Sequence, residues 1–221
     1  MSTSLAELVE RQANTITQLE ERLSRLESIE AINVLQRTYG YLLDKGLWSD
    51  MADLFAEDGS IEIGGRGVYV GRERIYLFLR DVMGKGSDGL APGQLMNHMQ
   101  LQGIVHIADN TPDRAYGRWR AWIQAGQYGE HGQYAEGVYE NEYIREDGVW
   151  KIWRLTWFAT YYTPADKGVG KETLPLSTMS DSFPPDRLPT YKYEALPGHF
   201  IPPFHYVHPV TGRPLRIPTQ G

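Results

Sequence analysis

The sequence predicts an α+β fold, and three observations carry that reading. Apolar residues recur at helical spacing through roughly the first 80 positions, long alternating strand-like segments follow, and a proline-rich tail closes the chain. The 221 residues fit one large domain with extensions, and an apolar content of 41% supplies a sizeable core.

Residues 3–28 read as a helix, with Ile16, Leu19, Leu23 and Leu26 on one stripe and Glu21 four residues before Arg25. That stripe packs either on its own domain or between protomers, and two heptads are too few to specify a coiled coil. A second helix is expected over 28–45, presenting Ile29, Ile32, Leu35, Tyr39 and Leu42, with Gly46 as its left-handed stop. Leu47–Glu57 reads as a short third helix capped by Ser49, followed by a turn at Asp58–Gly59. Ser60–Ile63 and Gly67–Val70 then form a hairpin, Gly71–Met83 a fourth helix, and Gly84–Gly93 a glycine-rich loop. Four long strands are expected at about 95–107, 113–126, 134–146 and 149–162, the last two joined by a tight turn at Gly148. Helices first and meandering strands after them predict a curved antiparallel sheet.

From Thr163 onward the composition changes, because most of the 13 prolines lie there. Such a segment can be neither a helix nor a central strand. Its aromatics, among them Tyr191, Tyr193, Phe200, Phe204 and Tyr206, argue against disorder and for an ordered arm over this domain or a neighbour's. The expected divisions are an N-terminal helix (1–27), a catalytic domain (28–162) and the arm (163–221).

Composition removes several functions. With no cysteine there is no disulfide, thiolate nucleophile or zinc–thiolate site. A net charge of −6 argues against a broad nucleic-acid-binding surface. The start, MSTSLAELVERQ, lacks a basic and apolar leader, and no apolar run approaches membrane-spanning length, so a cytoplasmic protein without membrane partners is expected. There is no nucleophile elbow, phosphate loop or dinucleotide fingerprint, and Gly64-Gly-Arg-Gly67 reads as a turn.

The residues that could carry chemistry are few. Asp44 falls in a last helical turn, where the macrodipole disfavours a carboxylate. It is either a solvated helix end or a pocket carboxylate that orients or deprotonates an imidazole. His98 opens a strand and is either structural or a general acid–base near neutral pH. His106 shares its parity unless a bulge intervenes, for which Gly103 is a plausible place, and an exposed structural role is favoured. His131 lies in a glycine-rich loop. His205 and His208 suggest a metal only superficially, since no carboxylate cluster accompanies them in sequence, and no metal is expected. In Arg118-Trp-Arg-Ala-Trp122, alternation puts Arg118, Arg120 and Trp122 on one face and Trp119 and Ala121 on the other. The arginines either pair with Glu136, Glu140 or Glu142, or face a pocket and bind a phenolate or oxyanion.

Taken together, several segments resemble the SnoaL-like branch of the nuclear-transport-factor-2-like superfamily, which includes scytalone dehydratase and bile-acid dehydratase. They are Ile29–Asp44, Gly46–Asp58, Gly71–Ile75, Met96-Asn-His98 and Glu146–Ile152, in order across about residues 28–160. The resemblance implies a cone-shaped curved sheet wrapped on the N-terminal helices, with a pocket inside. It also implies a helix-end Tyr39 and Asp44 acting with strand-borne His98 as catalytic residues. Arg120, Asn97, Trp119, Tyr139 and Asn141 are the expected substrate contacts. One departure is clear: scytalone dehydratase has a second histidine where this chain has Gln124–Ala125. The flanks, with the long first helix, the Gly-Arg-Trp-Arg-Ala-Trp strand, the Glu-Asn-Glu-Tyr strand and the aromatic arm, are similar to bacterial lyases that cleave lignin-derived diaryl diols. That implies a cofactor-free lyase that takes a phenolic diaryl propanediol to a stilbene, water and formaldehyde. The small aromatic substrate would be its partner, in a homo-oligomer (dimer or trimer). The alternatives are a dehydratase or isomerase of a polycyclic or steroid-like alcohol, and a non-catalytic binding subunit.

Overall fold

A computed structural model describes residues 4–217. The chain opens with one unbroken helix, α1 (Leu5–Leu43), where two were expected. No glycine or proline interrupts the Ser28–Ile29 junction, so the backbone has no reason to stop there. Its start is fixed by a reciprocal cap: Ser4 Oγ accepts from the Glu7 N–H, and the Glu7 carboxylate accepts from the Ser4 N–H. At 1.5 Å per residue the helix is about 58 Å long, and its first half projects past the sheet with Leu5, Val9, Ile16, Leu19, Leu23 and Leu26 exposed. Gly46, at φ 63°, ends the following turn in the left-handed conformation expected of it.

The third helix is shorter than its sequence suggests. α2 covers Trp48–Ala52, and its N-cap is Leu47 rather than Ser49. Phe55 through Ile63 form β1, and the expected turn at Asp58–Gly59 is absorbed as an irregularity inside that strand. A single 3₁₀ turn (Gly64–Arg66) leads into β2 (Val68–Val70), which pairs antiparallel with β1. α3 (Arg72–Leu77) passes into a π-helical turn at Phe78–Met83.

The long strands match their expected positions: β3 (Gln94–Ile107), β4 (Arg114–Gln127), β5 (His131–Glu146) and β6 (Val149–Pro164). They form one sheet in the order β2-β1-β6-β5-β4-β3, antiparallel except where β1 runs parallel to β6. The sheet curves around the second half of α1. Its inner face carries Ala115, Trp119, Ala121 and Ile123 from β4, Tyr139 and Tyr143 from β5, and Leu155 and Trp157 from β6, all buried. Those residues and Ile32, Tyr39 and Leu43 of α1 form one core.

A register shift between Leu101 and Ile104, with Gln102 at φ 52°, flips the parity of β3. His98 therefore faces the interior side, while His106 faces the arm and pairs with His205 across 3.1 Å.

Among the described residues the chain after β6 forms no further strands but stays against the domain. Val68 bridges to Arg187, Tyr69 Oη donates to the Phe183 carbonyl, and Arg74 pairs with Asp186. Farther along, Tyr193 Oη accepts from the Ala159 N–H, and Phe158, Tyr191, Tyr193 and Phe200 form an aromatic cluster on the outer face of β6.

Candidate active site

The site begins at the C-terminal end of α1. Asp44 is the helix C-cap, and its carboxylate turns toward β3, where Oδ1 accepts from the backbone N–H of His98 at 2.6 Å. The same oxygen lies 3.1 Å from His98 Nδ1. These bonds compensate for the unfavourable helix dipole at that position. Both side chains are largely shielded, with relative exposures of 15% for Asp44 and 10% for His98. A carboxylate at Nδ1 favours the tautomer protonated there, which leaves Nε2 as the basic nitrogen.

His98 forms part of the wall of a cavity of about 130 Å³ between α1 and the inner sheet face. Much of the lining is apolar: Leu43, Ile63, Met83, Met96, Ile123 and Ala125. Tyr39 and Tyr139 add two rings meeting edge to face at 5.9 Å. Burial pushes both phenols above their usual pKa, and each stays protonated at neutral pH. Two buried polar atoms of this wall, Tyr39 Oη and Trp157 Nε1, have no protein hydrogen-bond partner. Buried polar groups normally have one, so these two groups are available to a ligand.

Asp44 itself is screened from that cavity by His98 and lines instead an open groove along β3, with Arg37, Tyr41 and Gln100. Tyr39, Asp44 and His98 are thus brought together, with the histidine between the carboxylate and the cavity.

The expected substrate contacts divide. Tyr139 lines the cavity. Arg120 does not: alternation puts it on the outer sheet face, bound to Glu136 and to Gln102 Oε1 at 2.7 Å. Arg118 is likewise outside, paired with Glu140 directly opposite it on β5 and stacked over Phe204 of the arm. Asn97 points away from the cavity and donates to Gln124 Oε1 at 3.1 Å, where the dehydratase resemblance would place a second histidine. Trp119 and Asn141 face inward but sit deeper, in a buried hydrogen-bond network rather than at the cavity wall. Gln36 Oε1 accepts from Tyr143 Oη at 2.8 Å and from Asn141 Nδ2 at 2.9 Å, and Trp119 Nε1 donates to Tyr143 Oη. Gln36 Nε2 donates to Gln100 Oε1, and Gln100 Nε2 donates to the His98 carbonyl. The network therefore ends on the backbone of the candidate catalytic histidine and serves as its support.

Four polar or aromatic lining residues were not singled out by sequence: Arg66, Gln133, Trp157 and Tyr162. Strand parity could have pointed to Trp157, but Tyr162, of opposite parity, joins it only through the register irregularity between Ala159 and Tyr161, and nothing in the sequence marked Arg66 beyond its glycine turn. In the arm, His205 and His208 do not converge. His205 Nδ1 meets Glu140 at 2.8 Å, whereas His208 Nδ1 accepts from backbone N–H groups of its own turn. Among the described residues no helix is long and apolar enough to cross a membrane.

Comparison with solved structures returns the same architecture. A hexachlorocyclohexane dehydrochlorinase (LinA, type 2) aligns at 27% identity and a TM-score of 0.56, over 65% of this chain and 92% of its own. The type 3 enzyme from Novosphingobium barchaimii LL02 aligns at 25% identity and a TM-score of 0.56, covering 65% and 93%. A protein of Novosphingobium aromaticivorans DSM 12444, provisionally named a scytalone dehydratase, shares the fold at 18% identity and a TM-score of 0.55, covering 72% and 96%. No curated protein matches significantly. The SnoaL-like domain model matches residues 24–156, from the middle of α1 to the middle of β6 and across every element that builds the cavity, and the chain belongs to that family.

Proposed function

We propose that this protein is a cofactor-independent lyase acting on a phenolic diaryl propanediol of the kind derived from lignin, releasing water and formaldehyde and leaving a stilbene. The observation that carries the reading is the Asp44–His98 pair, whose histidine lines a largely apolar cavity that Tyr39, with its unpartnered hydroxyl, also lines. The likeness to enzymes whose name denotes loss of hydrogen chloride supports proton-transfer elimination in this framework.

The chemistry needs only proton movements. The acid, Tyr39 or protonated His98, gives a proton to the benzylic hydroxyl, which departs as water while the substrate's phenol releases its own proton to water and supplies electrons to form a quinone methide. The base of the Asp44–His98 pair then removes the proton of the terminal hydroxyl. The carbon–carbon bond breaks, its electrons flow back to the ring, formaldehyde leaves, and the phenol oxygen regains a proton from water. The volume of about 130 Å³ is close to the ~150 Å³ of a cavity that holds benzene, a size suited to one aryl ring, so the second ring would lie outside it.

The test is to supply such a diol and follow stilbene absorbance together with formaldehyde. Equal amounts are expected. His98→Ala should lower turnover ~10²-fold or more, and masking the phenol as a methyl ether should abolish it. Ether turnover equal to that of the phenol would refute the mechanism. Water loss without formaldehyde would favour instead a dehydratase or isomerase of a bulky alcohol, the second reading that the dehydrochlorinase likeness supports. The proposal includes a cytoplasmic location and a homo-oligomer, and the exposed leucine stripe of α1 supports the oligomer. Removal of residues 1–27 should reduce its mass in light scattering.

A further inference from the structure

Arg66 is the one guanidinium lining the cavity, and it makes no ion pair among the described residues. Of the carboxylates nearby in the chain, Glu62 accepts from the Thr190 N–H at 2.8 Å, Asp58 accepts from Trp153 Nε1 at 3.3 Å, and Glu57 pairs with Arg72. The other two arginines considered for anion binding, Arg118 and Arg120, are neutralised on the outer face. Half-buried and without a counter-charge, this guanidinium keeps donors open to an acceptor that a ligand brings.

The position of Arg66 fits a receptor at one end of the ligand. It follows β1, while His98 stands on β3, and β6, β5 and β4 lie between them in the sheet. At about 4.8 Å per strand spacing, these are opposite walls of the cup. Next to Arg66 sits Tyr162. Burial raises this phenol's pKa, and Arg66 offsets part of that rise, as it would for any phenol oxygen placed alongside.

We infer that Arg66 is the binding residue for the acidic phenol of the substrate ring, gripping its oxygen at the end of the cavity away from Asp44–His98. This rests on the lyase reading for the identity of the ring but not for the binding event. The guanidinium donates charge-assisted hydrogen bonds to that oxygen. If the bound phenol ionises, its proton passes to water.

The probes are 4-hydroxystilbene and 4-methoxystilbene, a matched phenol and ether. The wild-type protein should bind the phenol about 10-fold or more tightly than the ether, the usual scale for a hydrogen bond to a charged group. The bound phenol should also ionise, by absorbance titration, at lower pH in the wild type than in Arg66→Gln. The binding preference should vanish in Arg66→Gln, and in Arg66→Lys, which keeps the charge, part of each effect should remain. Wild-type protein that binds the ether as tightly as the phenol, or an Arg66→Gln variant that keeps the full preference, overturns the inference. If Arg66→Gln does not fold, the wild-type preference decides, since equal binding of phenol and ether overturns the inference. Failure of the lyase reading is distinguishable: the phenol preference would depend on Arg66 while the diol gave no stilbene. Conversely, normal diol turnover with unchanged phenol preference in Arg66→Gln removes the receptor and leaves the lyase.

Discussion

Replacing Asp44 by asparagine isolates the charge of the pair from its shape. One carboxylate oxygen accepts both from the His98 backbone N–H, at 2.6 Å, and at its ring Nδ1, 3.1 Å away. An amide oxygen can take both bonds, so the strand and the ring orientation should survive. What is lost is the negative charge beside an imidazole that becomes cationic whenever it holds the substrate's proton. At 3.1 Å and an effective dielectric of ~20, the Coulomb term is about 5 kcal/mol. Water reaching the groove on the Asp44 side screens part of this. The measured worth of a hydrogen bond to a charged group, about 1.5–3 kcal/mol, is the better guide, and it corresponds to a fall in rate of roughly 10- to 150-fold.

Because the charge matters only when the imidazole is protonated, the loss should appear in kcat with little change in KM. Steady-state kinetics on the phenolic diol measures this, with circular dichroism to confirm the fold. An Asp44→Asn enzyme within twofold of the wild-type kcat would refute the idea that this carboxylate supports a proton-carrying histidine. Asp44 would then be a helix-end residue that merely fastens β3.

Three further outcomes follow from other parts of the molecule. Tyr39→Phe should leave the fold as stable as the wild type or more so, because it removes a buried hydroxyl with no protein partner. Turnover should nonetheless drop by ~10²-fold if that hydroxyl is the acid, and unchanged turnover assigns the acid to His98. Gln36→Ala strips three hydrogen bonds from the buried network and should cost about 3 kcal/mol or more in urea unfolding, a loss below 1 kcal/mol counting against the network. His106 is held below its usual pKa by burial and then by His205, with Arg25 lowering it and Asp109 raising it. The folded protein binds that proton less tightly than the unfolded chain, so its contribution is intact above pH ~6.5 and is lost as pH falls below it. His106→Gln should flatten that part of the stability–pH curve, and an unchanged slope would refute the assignment.

The four long strands were legible in the sequence because a curved sheet with one buried face imposes alternation, and alternation survives in sequence. The same rule separated Arg118 and Arg120 from Trp119, and it allowed a bulge near Gly103 to turn His106 away from His98. The helix breaks were misjudged for local reasons. Nothing at Ser28 stops a helix, and Phe55, apolar in either state, gives no sign that β1 has begun. Tyr39, Asp44 and His98 could be picked from the motif order alone. Arg120 was misassigned to the pocket because the sequence shows which residues share a face, but not which face is inside. Arg66 stayed hidden because a cation in a glycine turn looks like any solvated loop residue.

That turn also gives the arm a part in the site. Glycines at 64, 65 and 67 surround Arg66, and the space they leave is occupied. A Cβ on Gly65 would stand 2.5 Å from the Ser177 carbonyl oxygen, and one on Gly67 would lie 2.6 Å from Pro185. Gly64 and Gly67 also hold positive φ, at 56° and 81°, which side chains resist. The proline-rich segment is therefore closed directly against the backbone that carries Arg66, and it is held there by the Val68–Arg187 bridge and the Arg74–Asp186 pair. Leu176 and Phe183 of the arm pack against the same core that lines the cavity. Ordering so many residues costs conformational entropy that a surface decoration would not recover. Here the arm recovers it by covering the sheet's outer aromatics and charges and by fixing a short, glycine-rich turn that could not hold an arginine in one place by itself. His98 is fixed from the other side by the Gln36–Gln100 network, so the two ends of the cavity are positioned by separate parts of the chain: one buried in the core, the other laid over its surface.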